Sequence, residues 1–103
     1  MSLDIAILGA DGSPKKQVSI GVDDHYRLTQ LIRGMPNSLL ARMNDYYADA
    51  EFENSELDAL AEEVQSLLVR CRDDEGLIPF LNGLSELIVE AKEEQKPLLA
   101  IAD

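Results

Sequence analysis

The chain has 103 residues, which is enough for one ordinary domain and too few for two, so we expect a single domain over residues 1–103. Apolar residues make up 46% and charged residues 28%, a composition typical of a folded globular protein. The 20 acids and 9 bases give a net charge of −11. This charge disfavours nucleic acid and anionic membranes as direct partners, because both repel an acidic protein.

The cysteine content and the hydropathy pattern favour the cytoplasm. Cys71 is the only cysteine, so it predicts neither an internal disulfide nor a cysteine-based metal cluster. A reducing compartment suits such a thiol. Asp4 interrupts the first apolar run, and the longest charge-free stretch, residues 76–85, is about half a membrane span. We therefore expect no secretory signal, no membrane-spanning helix and a cytoplasmic location.

A β-hairpin is predicted in the first part of the chain. Leu3–Leu8 is short and rich in isoleucine, and turn-forming residues follow it over 9–14. Residues 17–22 then alternate apolar with small or polar side chains, which predicts a second strand. The connection of about eight residues indicates a hairpin longer than the tightest type.

Four helical segments are predicted next, separated in the middle by an acidic connection over residues 48–54 that has no clear structural signal. Asp23 or Asp24 is expected to cap the first helix. The clearest helix begins at Ser55, its expected N-cap, and its apolar residues recur every three or four positions as far as Cys71. The predicted helical segments cover residues 23–34, 39–47 and 55–71, and a last segment that begins near Pro79 and is stopped by Lys96-Pro97.

The last helix and a final strand complete the predicted α+β fold. Pro79 suits the first turn of that helix. Gly83 inside the helix costs about 1 kcal/mol relative to alanine and therefore predicts a close helix contact. Leu98–Ala102 has the composition of a strand, and pairing with the N-terminal strand would relieve the marginal stability of an isolated hairpin. We expect a small antiparallel sheet, formed by the N-terminal hairpin plus the C-terminal strand and covered by three to four helices.

The negative charge is concentrated in the second part of the chain. Residues 1–43 have five bases and four acids, whereas residues 44–103 have four bases and sixteen acids. Between Asp45 and Glu63 there are eight acids, no base and three of the five aromatic residues. Carboxylates steer a basic partner, and aromatic rings supply buried anchors in an interface. We predict a partner-binding surface formed by Asp45, Tyr46, Tyr47, Asp49, Glu51, Phe52, Glu53 and Glu56.

The alternative for this segment is that Tyr46 and Phe52 belong to the core and the acids form a solvated face. The absence of Lys favours the binding surface, because an ordinary helix surface mixes charges to gain pairs four residues apart.

No residue pattern predicts catalysis, a cofactor or a metal. Cys71 lies on an apolar helix stripe and is expected in the core. His25 is better explained as a surface residue near a capped helix start than as a metal ligand. Residues 49–60 fail as a calcium loop, because Asn54 occupies the glycine position and Leu60 the position of the bidentate acid. We expect a protein that is not an enzyme.

Four features carry a resemblance to a known class of protein: the Leu3–Leu8 strand with its Asp11-Gly12-Ser13 turn, the Ala41–Ala50 segment, the acidic helices and the apolar tail ending at Asp103. Together they resemble the small immunity proteins of bacterial polymorphic toxin systems, including contact-dependent growth inhibition. The resemblance spans the whole chain in general shape. It implies a cytoplasmic inhibitor that binds one cognate basic toxin domain, often a nuclease, and has no catalytic residues. We expect a monomer or a weak homodimer.

Two other functions fit the residues. A non-enzymatic adaptor or oligomeric structural subunit would use the apolar residues 77–91 as an interface, and a large exposed apolar patch would favour it. An acidic DNA mimic or regulatory protein would bind a nucleic-acid-binding protein, and regularly spaced carboxylates would favour it. The acids are clustered instead, so we predict an immunity protein first and an adaptor second.

Overall fold

The computed structural model describes residues 2–35 and 37–102, which form one antiparallel sheet with three α-helices. The elements are β1 (Leu3–Leu8), β2 (Pro14–Ile20), α1 (Val22–Ile32), β3 (Ala50–Phe52), α2 (Leu57–Arg70), α3 (Leu77–Glu94) and β4 (Leu98–Ala102). Two short 3₁₀ turns, Leu40–Met43 and Asn54–Glu56, flank β3 in the chain. The predicted α+β fold class is confirmed.

The sheet has the strand order β2-β1-β4-β3. β1 lies between its hairpin partner β2 and the C-terminal strand β4, and both pairings are antiparallel. Leu3 therefore stands opposite Ile20 on one side and Ala102 on the other. The predicted pairing of the chain's two terminal strands is confirmed. In the hairpin turn Gly12 has a φ of 82°, a backbone conformation that glycine adopts without steric cost.

β3 is a fourth strand that the sequence did not predict. It lies within the acidic connection of residues 48–54, which has no clear structural signal in the sequence, and it pairs with β4. Ala50 and Phe52 alternate with Glu51, which is the pattern of a half-buried strand. Three residues between acidic neighbours are too short a run for that pattern to stand out in the sequence.

The core lies between the sheet and the helices. Alternate residues of β1 (Leu3, Ile5 and Ile7) are buried, as are the apolar sides of α2 and α3. Cys71 is also buried, as expected, and burial raises the pKa of its thiol. Apart from Val89, which is 54% exposed, the large apolar side chains of α3 are buried or half-buried in the fold. They therefore do not form the large exposed apolar patch that would favour the adaptor interpretation of residues 77–91.

Several local contacts correct the sequence-based expectations. α1 begins after Gly21, so Asp23 and Asp24, either of which was expected as the cap, lie in its first turn instead. There their carboxylates interact favourably with the positive end of the helix dipole. A reciprocal capping box of Glu53 and Glu56 precedes α2, in place of the expected Ser55 cap. Gly83 makes its close approach to β2 rather than to a helix, since a Cβ there would lie 2.9 Å from Val18 Cγ2.

Candidate functional site

A shallow cleft of about 460 Å³ lies where α1 meets the segment that follows the first 3₁₀ turn. We call it the tyrosine cleft, and its lining residues are Val22, His25, Tyr26, Thr29, Asn44, Asp45, Tyr46 and Tyr47. None of the described residues that line it is a lysine or an arginine. The cleft brings together Asp45, Tyr46 and Tyr47 of the predicted binding surface with residues of α1.

Two buried rings form the support of the tyrosine cleft. The rings of His25 and Tyr46 meet edge to face, with centroids 5.0 Å apart. His25 Nε2 lies 2.6 Å from the Met43 carbonyl oxygen, and because that oxygen only accepts, Nε2 carries the proton and donates it. His25 is therefore a buried structural residue, which corrects the expectation of a surface histidine. This contact joins α1 to the 3₁₀ turn.

Three large apolar side chains around the cleft are exposed. Tyr47 is 66% exposed, Tyr26 65% and Val22 56%. Among the described residues, only Val69 and Val89 are other large hydrophobic side chains with such exposure. The Tyr47 ring is held edge-on against Tyr46 at a centroid distance of 5.4 Å. A cluster of exposed apolar side chains of this kind marks an interaction site more often than scattered ones do.

Sequence reasoning missed Val22 and Tyr26 as surface residues. The available signal was the spacing of the buried residues of α1, His25, Leu28 and Ile32, which defines its inner stripe. Tyr26 falls outside that stripe. With Tyr46 and Tyr47, it completes a group of aromatic residues drawn from two separate parts of the chain.

Two aromatic residues of the predicted binding surface are buried. Phe52 lies in the core because the alternation of β3 turns its side chain toward the helices. Tyr46 is buried beneath the tyrosine cleft, with its hydroxyl 3.5 Å from the Ile20 carbonyl oxygen. Neither ring is available as an exposed anchor, so the core alternative applies to both. Tyr47 is the one predicted aromatic residue that is exposed.

The remaining predicted acids lie on and beside β3. Asp49, Glu51 and Glu53 are exposed, and we call these three residues the acidic edge. Asp49 Oδ1 accepts the N–H of Ala102 at 2.8 Å, which ties the segment before β3 to the end of β4. Glu56 is half-buried and forms an ion pair with Arg42.

Folding supplies cations to part of the acidic segment that has no base in the sequence. Arg42 binds Glu56, and Lys92 of α3 binds Asp58. Glu63 accepts the N–H of Leu39 at 2.9 Å and thereby fastens α2 to the 3₁₀ turn. These three acids have structural partners, so the acids left to face a partner are fewer than the sequence suggests.

A larger cleft of about 730 Å³ is lined by Arg27, Gln30, Leu31, Arg70, Cys71, Asp73, Asp74 and Glu75. Arg27 Nε donates to Asp74 Oδ2 at 2.9 Å, and Asp24 binds the same guanidinium. Hydrogen bonds from Arg27 lower the pKa of Asp74 to about 2 because they stabilise its carboxylate. Asp74 also accepts the N–H of Leu77 at the start of α3. Arg27, Asp24 and Asp74 thus fasten α1 to the start of α3, so we assign these three residues a structural role.

The comparisons with known proteins give no match: no family model, curated protein or solved structure is significantly similar to the chain. The described residues hold no cluster of three or more His, Cys, Asp or Glu side chains able to bind a metal ion. Over the same residues, no helix combines the length and apolar character that crossing a bilayer requires.

Proposed function

We propose that this chain is an immunity protein, a non-enzymatic cytoplasmic inhibitor that binds one basic toxin domain, of the nuclease class, and blocks its substrate surface. The observation that carries the proposal is the tyrosine cleft. There, exposed apolar side chains lie beside the Asp45 carboxylate, in a chain with a net charge of −11. The choice of a toxin domain of the nuclease class as the partner rests on the resemblance to immunity proteins.

The charge of the chain supports a basic partner. A nuclease must bind phosphate with Lys and Arg, so its substrate surface is positively charged. In the complex, the carboxylates of the acidic edge and Asp45 would occupy positions on the nuclease where substrate phosphates otherwise bind. Charge complementarity of this kind raises association rates by roughly 10–10³. Rapid association suits an inhibitor that has to reach a toxin before the toxin acts.

The tyrosine cleft would contribute to the lifetime of the complex. Tyr26 and Tyr47 have large rings with hydroxyls that remain able to hydrogen-bond at an interface. Such rings are frequent among the few residues that account for most of the binding energy of an interface. We therefore assign slow dissociation to the tyrosines and fast association to the carboxylates.

The test uses the domain encoded by the adjacent upstream gene as the candidate toxin, with inhibition of its nuclease activity and the association rate as readouts. In one variant Asp45 and Glu51 are both replaced by Lys. In the matched control Glu62 and Glu86, exposed acids on α2 and α3, are both replaced by Lys, so that the net charge changes equally. Circular dichroism checks that both variants are folded.

We expect the Asp45→Lys and Glu51→Lys changes together to slow association by about tenfold, and the control pair to alter it by less than about threefold. Equal effects of the two pairs would contradict a localised interface. The absence of binding and inhibition by the unaltered chain would overturn the proposal itself.

A further inference from the structure

We infer that the tyrosine cleft binds an arginine side chain of the partner, with the guanidinium against the Tyr26 and Tyr47 rings and beside the Asp45 carboxylate. The inference rests on the proposed function in that it specifies which group of a basic partner enters the site. It stands on three observations: how this protein holds an arginine of its own, what the cleft contains, and which charge the cleft lacks.

The protein's own Arg42 shows the arrangement that we infer. Its guanidinium carbon lies 5.7 Å from the centroid of the Phe52 ring. Its Nη1 donates to the Glu51 carbonyl oxygen at 3.0 Å and to Glu56 Oε1 at 2.8 Å. An aromatic face, a carboxylate and a backbone carbonyl together hold the planar cation.

The tyrosine cleft offers the main groups of that arrangement without an arginine. Two exposed tyrosine rings take the place of the phenylalanine ring. Asp45 Oδ1 accepts the N–H of Tyr47 at 2.9 Å, and this bond fixes the carboxylate next to the ring. Asp45 Oδ2 makes no hydrogen bond to another described residue, so it is available to accept one from a guanidinium.

The charge of the cleft favours a cationic guest. Its described lining includes one carboxylate and neither lysine nor arginine. His25 is buried beneath the exposed rings, and its Nε2–H is donated to the Met43 carbonyl oxygen in the interior rather than to the cleft. A guest cation would thus meet aromatic faces and a carboxylate, with no competing lysine or arginine among the described lining residues.

Arginine fits these groups better than lysine. The guanidinium is planar and weakly hydrated, so it can stack on a ring while its N–H groups point at a carboxylate in the same plane. The lysine ammonium is a compact, strongly hydrated point charge, and it loses more hydration when it approaches an aromatic surface. Exposed rings at the mouth of a shallow cleft therefore select for arginine.

The test is a titration of the folded chain with N-acetyl-arginine N-methylamide, followed by the ring signals of Tyr26 and Tyr47 in two-dimensional NMR spectra. The citrulline analogue serves as a neutral probe of nearly the same shape, and the lysine analogue as a cation of different shape. The variants are Tyr47→Ala and Asp45→Asn, the second of which keeps an oxygen to accept the Tyr47 N–H. Glu62→Gln is the matched control, since it removes an exposed acid from outside the cleft.

We expect the arginine probe to shift the two ring signals about threefold more than either analogue at the same millimolar concentration. Asp45→Asn should reduce the Tyr47 shift by about half or more, Tyr47→Ala should reduce the Tyr26 shift, and Glu62→Gln should change neither. Equal shifts with citrulline or with lysine would overturn the inference. If backbone amide signals recorded in the same titration shifted along α2 and α3 while the two ring signals did not, the inference would also be overturned.

The outcomes separate this inference from the proposed function. If the arginine probe shifts the cleft signals but the toxin domain does not bind, the proposed function fails and the arginine site remains. If the toxin domain binds and is inhibited while the probe leaves the cleft signals unchanged, the arginine site fails and the proposed function remains.

Discussion

Arg42 and Glu56, separated by 14 positions in the chain, form a two-pronged ion pair. Arg42 Nη1 donates to Glu56 Oε1 at 2.8 Å, and Nη2 donates to the other carboxylate oxygen. The same carboxylate accepts the N–H of Glu53 at 3.0 Å within the capping box that precedes α2. This pair thus joins the first 3₁₀ turn, the end of β3 and the start of α2.

The Arg42–Glu56 pair predicts how stability changes with pH. Hydrogen bonds from Arg42 and from the Glu53 N–H lower the pKa of Glu56 from 4.5 to about 2. The pair stabilises the folded chain fully above about pH 4.5, and this stabilisation is lost as the pH falls from there toward 2. At pH 7 the urea concentration at the unfolding midpoint should therefore be lower for Glu56→Gln than for the unaltered chain. The difference between the two midpoints should become smaller as the pH falls from 5 to about 3.

The control for the pH prediction is Glu62→Gln, which removes an exposed acid of α2. It should shift the urea midpoint little, with no such narrowing. If the difference in urea midpoint between Glu56→Gln and the unaltered chain stayed the same from pH 7 to about 3, the ion pair would not account for the loss of stability in acid.

Phe52 and Tyr47 belong to the same predicted surface, but the first is buried and the second is exposed. Replacing Phe52 should therefore destabilise the fold much more than replacing Tyr47. Phe52→Ala leaves a cavity in the core and should lower the free energy of unfolding by about 3–5 kcal/mol. Tyr47→Ala removes a largely exposed ring and its edge-to-face contact with Tyr46, and should lower the free energy of unfolding by no more than about 1.5 kcal/mol. Urea unfolding followed by circular dichroism measures both values. A similar decrease in the free energy of unfolding for the two variants would contradict a buried Phe52 and an exposed Tyr47.

Gly83 should resist substitution because of its contact with β2. Alanine there would gain helix propensity, but its Cβ would lie 2.9 Å from Val18 Cγ2, and a β-branched side chain cannot easily turn away. Gly83→Ala should therefore lower the free energy of unfolding by about 1 kcal/mol. In a Val18→Ala background the same change should stabilise the chain by up to about 1 kcal/mol. If Gly83→Ala changed the free energy of unfolding by the same amount with Val18 and with Ala at position 18, the close approach to Val18 would not be the reason that glycine is needed.

His25→Ala should destabilise the fold although the residue is near the surface cleft. The substitution removes the donor to the buried Met43 carbonyl and the ring that packs against Tyr46. A buried acceptor left without its partner costs about 1–3 kcal/mol. Tyr26→Ala, an exposed neighbour on α1, is the matched control and should change the free energy of unfolding by less than about 0.5 kcal/mol. Equal effects in urea unfolding would contradict a structural role for His25.

Long periodic segments of the sequence predicted most of the fold. The three- and four-residue spacing of apolar side chains located α2 and most of α3, and the alternation after the first turn located β2 to within a few residues. Pairing of the terminal strands followed from the instability of an isolated hairpin. β3 escaped prediction because its pairing with β4 depends on a partner almost fifty residues away, and three residues carry too little periodicity.

The candidate site was predictable only in part. Asp45, Tyr46 and Tyr47 are consecutive in the sequence, and the structure brings all three to one cleft. Tyr26 comes from another helix, and only the fold places it beside them. The cations that reach Glu56 and Asp58 likewise come from segments that are distant in the sequence, so counting charges in a window overstated the number of unpaired acids.

The most direct test of the account compares the affinity of the toxin domain for two variants that each lose one exposed apolar side chain. Tyr47 is 66% exposed and lines the tyrosine cleft, whereas Val69 is 70% exposed and lies on α2 outside it. We predict that Tyr47→Ala weakens binding by at least about tenfold, mainly through faster dissociation, and that Val69→Ala changes it by less than about twofold. Binding that is equally strong for both variants, or equally weakened in both, would contradict the tyrosine cleft as the binding site.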